Sequence, residues 1–340
     1  MSHQKIIEQA LLLLRKQKEN KDSYFFDSER FSKIKIDKNN FQHIPPRLPE
    51  KKMLFVDGGE SCIFSSPSFS FYMMRVYKTI YDGKEKSHAA RHDFFLYIES
   101  ALKNDLLQYV AHVISPHFAN LSTTFASDDP ELKLNFGKIN HAEIASILRR
   151  QAELQWAVLS AAEADSIVID GSLHCKSTYE ESALEALYAK AAVHNALVCG
   201  LSKSSDILTD TGNAAALALE RYGTEGAWLY YPALHSDTAY STGFVKLHPL
   251  SYYIFRFDIQ KKSEEQILAM AAALASHSTD PAFIGYPYGL LEADQHARIS
   301  KEEKRRWQVF FQAKLGSSWQ EIEKALHSSD AHAVLDSMHY

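Results

Sequence analysis

Lys52-Met53-Leu54-Phe55-Val56-Asp57-Gly58-Gly59 and Ser166-Ile167-Val168-Ile169-Asp170-Gly171-Ser172 are the two runs on which the fold turns. Each is a short apolar stretch of β-branched, aromatic or long aliphatic residues that meets an Asp-Gly pair, the pattern of a buried strand feeding a turn. A strand fixes its backbone, so a carboxylate at its end is held rigidly while it still faces solvent or ligand. Glycine directly after it removes the Cβ and permits a sharp turn or the close approach of a large ligand. If the two strands lie side by side, Asp57 and Asp170 share one small volume. Two carboxylates that close repel each other unless a proton or a cation lies between them. Oxygen-only ligands favour hard ions, magnesium or manganese. The plain alternative is that each Asp-Gly is a turn and nothing more.

Working outward, residues 4–18 alternate apolar and polar groups at helical spacing, and His43 to Pro49 carries three prolines that break regular structure before the first strand. That strand, Lys52 to Val56, is expected to stop at Asp57. Ser61 to Ser65 and Phe69 to Tyr81 complete a three-strand meander closed by Tyr81-Asp82-Gly83. From His88 to Ile114 the pattern reads as helical, and Pro116 to Lys138 as irregular, together a helical insertion over about 88–138. A helix from about Asn140 to Ala164 places Ile144, Ile147, Leu148, Gln151, Val158 and Leu159 on one side. It feeds the Asp170 strand, then a helix over about 180–195 and a strand over 196–201. Strands follow at Gly243 to Leu247 and Tyr252 to Ile259, then three helices separated by Asp280-Pro281 and by Gly316. Strands first in a meander, then helix alternating with strand, imply an α/β fold of ribonuclease H-like order: a mixed sheet flanked by helices, with further helices at both termini. The division is an extension over 1–50, a main domain over 51–300 and a C-terminal helical extension over 301–340.

Hydrophobic residues make up 46% of the 340 and charged residues 23%, as in a globular chain. The densest apolar run near the start, Leu11 to Leu14, is too short to span a bilayer and is followed by Arg15, Lys16 and Lys18 with no cleavage pattern, so a cytoplasmic location is expected. Cys62, Cys175 and Cys199 lack zinc spacing and are expected to be structural thiols. The net charge of −5 argues against a surface that grips phosphates everywhere, while leaving room for a local basic groove. No Walker loop or dinucleotide fingerprint is present.

Further motifs keep a fixed order along the chain: Arg149-Arg150-Gln151-Ala152-Glu153, Gly200-Leu201-Ser202-Lys203, Gly243-Phe244-Val245-Lys246-Leu247, Tyr253-Ile254-Phe255-Arg256, and Gly285-Tyr286-Pro287-Tyr288-Gly289-Leu290-Leu291-Glu292-Ala293-Asp294. Together with the two acidic runs, this ordered set resembles the NurA nucleases from about residue 50 to residue 300. The resemblance implies a ribonuclease H-like DNA nuclease that acts with manganese, or magnesium, on DNA ends and single strands as a 5′-3′ exonuclease and single-strand endonuclease. It also implies a homodimer working beside a hexameric HerA-type ATPase in end resection, break repair or defence. Carried over, the metal carboxylates are Asp57, Glu153 and Asp170, with Tyr286 assisting. Two ions among them would activate water and stabilise the leaving oxygen. Lys203 and Arg149 are then the substrate-binding cations. Where the family carries histidine after the alanine of its last motif, this chain has Asp294, expected to keep a metal role; His296 stands two residues on, on another helix face.

Other readings are plainer. From periodicity, Glu153 falls on the solvated side of its helix, and Lys203 reads as a surface lysine after a strand. His88 and His92 have the spacing of a helical zinc pair but lack the adjoining glutamate, so a solvated helix face is expected. Trp156, Tyr179 and Tyr288 offer base-stacking rings, with core packing the ordinary role. Lys301 to Arg306 reads as a solvated helix face with DNA contact second, and Ile6, Ile7, Leu11 and Leu14 as a face for the chain's own domain or a partner. Two rivals to the nuclease stay open: a non-catalytic relative that docks the ATPase ring, and a metal-dependent phosphohydrolase acting on small substrates.

Overall fold

The computed structural model describes residues 3–15, 22–27, 32–46, 51–129, 140–175, 177–234 and 239–327. The end of the expected N-terminal helix at 16–18, part of the proline linker (47–49), residues 130–138 of the insertion and the chain beyond 327 lie outside the described residues.

Eleven strands form one mixed sheet. From edge to edge they are Phe41–His43, Trp228–Leu234, Tyr240–Lys246, Phe255–Gln260, Leu197–Ser202, Ser166–Asp170, Lys52–Ser65, Phe69–Asp82, Glu85–Lys103, Leu106–Ile114 and Thr123–Ala126. The Asp170 strand sits at the centre, parallel to both neighbours, with Val56 opposite Ile169 and Leu201 opposite Asp170. All other pairings are antiparallel. Central strands covered on both faces read as nearly continuous apolar runs, which is why these two stretches stand out in the sequence.

Side chains alternate between the two faces. Met53, Phe55, Val168, Cys199 and Leu201 pack against the helix Glu264–Ser276 and against Tyr286 and Leu290. Leu54, Val56, Ile167, Ile169 and Val198 face the other way, toward Leu154, Ala157, Leu184 and Leu187 of the helices His141–Ser160 and Thr178–Val193. Asp57, Asp170 and Lys203 continue the first parity, so the alternation alone sends all three toward the helix Tyr288–Ala297.

Several expectations need correction. The Asp57 strand does not stop at Asp57: it runs unbroken to Ser65, with Asp57, Gly58 and Gly59 paired to Tyr77, Val76 and Arg75. Residues 88–114 are not helical. They form two strands of a meander joined at Asn104-Asp105, whose φ angles of 52° and 60° suit a two-residue hairpin between Lys103 and Leu106. Both faces of this meander are partly covered, which blurs the period-2 pattern that would mark it. His88 and His92 therefore lie on a strand, with His92 bonded to Ser115. The long helix buries Ala145, Ala152, Glu153, Leu154 and Ala157 together with Ile144, Ile147 and Leu148, whereas Leu159 is exposed. Four helices, not three, close the described chain: Glu264–Ser276, Tyr288–Ala297, Lys301–Leu315 and Trp319–His327. The strand Trp228–Leu234 and the helix Ala215–Tyr222 went unread. Among the described residues no helix is long and apolar enough to cross a membrane.

Candidate metal centre

Why Asp57 sits mid-strand is answered by its glycines. A Cβ on Gly58 would lie 2.5 Å from Glu153 Oε1, and one on Gly59 would lie 2.1 Å from the Ala297 carbonyl oxygen. The two glycines let helices on opposite faces press onto the same point of the strand. One helix brings Glu153 and the other brings Asp294. At Asp170 the chain does leave the sheet, and Gly171 takes a φ of +98° that favours glycine.

Asp57, Asp170 and Asp294 each offer a carboxylate oxygen, and these three atoms lie within 4.8 Å of one another. Lys203 donates from Nζ to Asp170 Oδ2 (2.8 Å) and to Asp294 Oδ1 (2.6 Å). Its ammonium lies 5.4 Å from the centre of the Tyr286 ring. The hydroxyl of Tyr286, a fully buried side chain, donates to Asp170 Oδ1 at 3.1 Å. Asp57, 8% exposed, accepts from the Gly58 N–H at 2.7 Å. Burial first, then Asp170 and Glu153, push its carboxyl up to about 8. Burial alone would lower the Lys203 ammonium, but Asp170 and Asp294 outweigh it and hold it above its ordinary value. The Tyr286 hydroxyl is raised by burial and by Asp170, which keeps it a donor.

Glu153 is not solvated; at 1% exposure it is among the most buried charges described. Arg149 ion-pairs with its Oε1, and Arg150 donates to Oε2 at 3.1 Å. Arg150 also donates to the carbonyls of Asp170 (3.1 Å) and Ser172 (2.6 Å), clamping the turn that carries Asp170. Arg149 reaches Glu60 (3.2 Å) and the Gly58 carbonyl (3.3 Å). Arg150 is the residue that sequence reading undervalued, although its i,i+3 spacing to Glu153 was a signal for an ion pair. His296 does not stand in for Asp294: its ring stacks on Tyr77 at 4.8 Å. Nor do Trp156, Tyr179 and Tyr288 line the recess; they pack beside Phe118, Phe125 and His277 respectively.

The carboxylates open into a recess of about 500 Å³ lined also by Arg149, Ser172, His174, Ser204, Asp206 and Arg256. An all-oxygen donor set with one ammonium already lodged at its edge can hold a hard divalent cation.

The NurA domain family model matches residues 51–299, which takes in every one of these groups. The chain belongs to the NurA family. Among solved structures it is similar to the NurA nuclease from Sulfolobus solfataricus, at 16% identity and a TM-score of 0.54, covering 92% of this chain and 94% of that one. That likeness shows the fold, a ribonuclease H-like mixed sheet flanked by helices. It is also similar to endonuclease V of Ciona intestinalis in complex with a 24mer DNA (14% identity, TM-score 0.40, 75% of this chain and 87% of that one). Human endonuclease V matches at 13% identity and a TM-score of 0.39, over 78% and 93%. No curated protein sequence matches the chain. Membership of the NurA family supports a nuclease.

Proposed function

We propose that this NurA-family chain is a divalent-metal-dependent DNA nuclease, cutting from 5′ ends and within single strands, with manganese as its ion and magnesium as the alternative. The observation that carries the reading is the convergence of Asp57, Asp170 and Asp294 within 4.8 Å beside an open recess. An ion held there would neutralise the phosphate and activate water.

The chain's own groups divide the remaining work. Tyr286 fixes the Asp170 carboxylate by its 3.1 Å hydrogen bond, so one oxygen is always turned to the centre. Lys203 steadies Asp170 and Asp294 and offsets charge that develops on a bound phosphodiester. Arg149, on the wall of the recess, attracts the DNA backbone. Glu153 backs the three as a supporting carboxylate, close enough to raise Asp57 and held in place by Arg149 and Arg150. A homodimer in the cytoplasm, served by a HerA-type hexameric ATPase in end resection, break repair or defence, belongs to the same proposal and rests on family membership.

Degradation of end-labelled single-stranded and duplex DNA, with and without manganese and with and without the ATPase, tests this. Asp57→Ala should lower manganese-dependent cleavage on the order of 10³-fold while the fold persists. A variant that cuts as well as its parent would remove Asp57 from the site. The second reading, a non-catalytic subunit that docks the ATPase, draws on Asp294 standing where the family's last motif carries histidine. It expects a stable complex and no cleavage under any divalent ion.

A further inference from the structure

Lys203 occupies one edge of the carboxylate cluster, and its surroundings bear on how many ions the centre takes. Two ions in a shared site stand roughly 3.5–4 Å apart and need a carboxylate to bridge them. Asp170 is the central carboxylate here, and both its oxygens are engaged: Oδ1 accepts from Tyr286 and Oδ2 from Lys203. Asp294 Oδ1 is likewise held by Lys203, and its Oδ2 faces Arg298 at 3.4 Å. The edge between Asp170 and Asp294 is thus filled by a compact cation with three donors.

Charge points the same way. Behind Gly58, Arg149 and Arg150 pair with Glu60 and Glu153, so those four groups balance among themselves. Asp57, Asp170 and Asp294 converge on one another with the Lys203 ammonium at their edge and Arg298 beside Asp294, while Arg149, Asp206 and Arg256 also line the recess. A second divalent ion between Asp170 and Asp294 would sit directly against the Lys203 ammonium.

We infer that Lys203 takes the place of a second metal ion, so that the centre formed by Asp57, Asp170 and Asp294 holds one divalent cation per chain. The inference rests on the metal reading of the site given above. Lys203 enters from the Leu197–Ser202 strand at the same parity as Leu201, and the Tyr286 ring backs its ammonium, so its position is set by the fold. Its side chain is 40% exposed, and replacing it opens no hole in the core.

Manganese titration of the full chain without DNA, read by the electron paramagnetic resonance of free and bound ion, counts the sites. The parent should bind one Mn²⁺ with no exchange-coupled pair. Lys203→Met, with a neutral side chain of similar length, should bind two and show the coupled signal, while Lys203→Arg should stay at one. Asp170→Asn, shown folded by circular dichroism, should lose the tight ion. A parent that binds two ions, or a Lys203→Met variant that binds only one, overturns the assignment of Lys203. A parent that binds none, or an Asp170→Asn variant that binds as tightly as the parent, overturns the metal reading itself.

Discussion

Asp57-Gly58 and Asp170-Gly171 are the same dipeptide after the same kind of apolar run, yet the chain uses them in opposite ways. At Asp170 the strand ends, and Gly171 bends out at a φ of +98° with nothing within 4 Å of where a Cβ would stand. At Asp57 the strand continues in full register against its neighbour, and Gly58 is needed for the space its missing Cβ leaves to Glu153. One glycine serves backbone conformation and the other serves packing. The difference teaches that an aspartate can be fixed in a carboxylate cluster either by a turn or by a flat strand pinched between two helices. The pinched one is the more deeply buried of the two, 8% exposed for the whole residue.

The contrast is sharpest at the pinch. Gly59→Ala would drive a Cβ to 2.1 Å from the backbone carbonyl of Ala297, and a helix backbone cannot yield as a side chain can. The helix Tyr288–Ala297 must shift, taking Asp294 with it. Overpacking of this kind costs about 1–3 kcal/mol or more. Urea unfolding should show that loss, and manganese binding should weaken in the same variant. A Gly59→Ala protein as stable as its parent would mean the helix does not approach as described.

How much of this was legible follows from the same two stretches. The central strands, their alternation and the pairing of Asp57 with Asp170 could be read because burial on both faces leaves an unmistakable apolar run. The meander over 85–114 could not, since its half-covered faces mix polar and apolar residues at every position. Glu153 was misread for a related reason. A helix buried on two sides has no solvated face to contrast with, and the partner that makes the burial tolerable, the Arg149–Arg150 pair, acts across three and four residues. Lys203 looked like a surface lysine because nothing in its neighbours announces Asp294, which lies far along the chain and comes near only when the helix Tyr288–Ala297 packs on the sheet.

The pinched aspartate also titrates outside its ordinary range. Asp57 ionises at about 8 in the folded chain, against an ordinary value of 3.8. Between those values the folded state holds a proton that the unfolded state has released. The metal-free protein should therefore lose stability as pH rises from about 4 toward about 8. A divalent ion displaces that proton, so apparent affinity for manganese should climb up to about tenfold per pH unit below 8 and level off above it. Thermal unfolding in chelator across this range, on the parent and on Asp57→Asn, checks the first part. The variant should lose the downward slope, and a slope that survives the substitution would place its origin elsewhere.

The smallest effect belongs to Gly171→Ala, and it is the most discriminating. No atom obstructs a Cβ there, so the cost comes from backbone conformation alone, about 1–2 kcal/mol for a side chain forced into the left-handed region. Arg150 holds the carbonyls on either side, Asp170 and Ser172, so the turn has little freedom to relax into another shape. Stability should fall by that modest amount, and Asp170 should keep its hydrogen bonds to Tyr286 and Lys203. Manganese affinity should then stay within a few-fold of the parent, unlike Gly59→Ala, where stability and affinity fall together. Were Gly171→Ala to abolish ion binding at unchanged stability, the turn would be setting the Asp170 carboxylate directly, and the Arg150 clamp would not be what holds it.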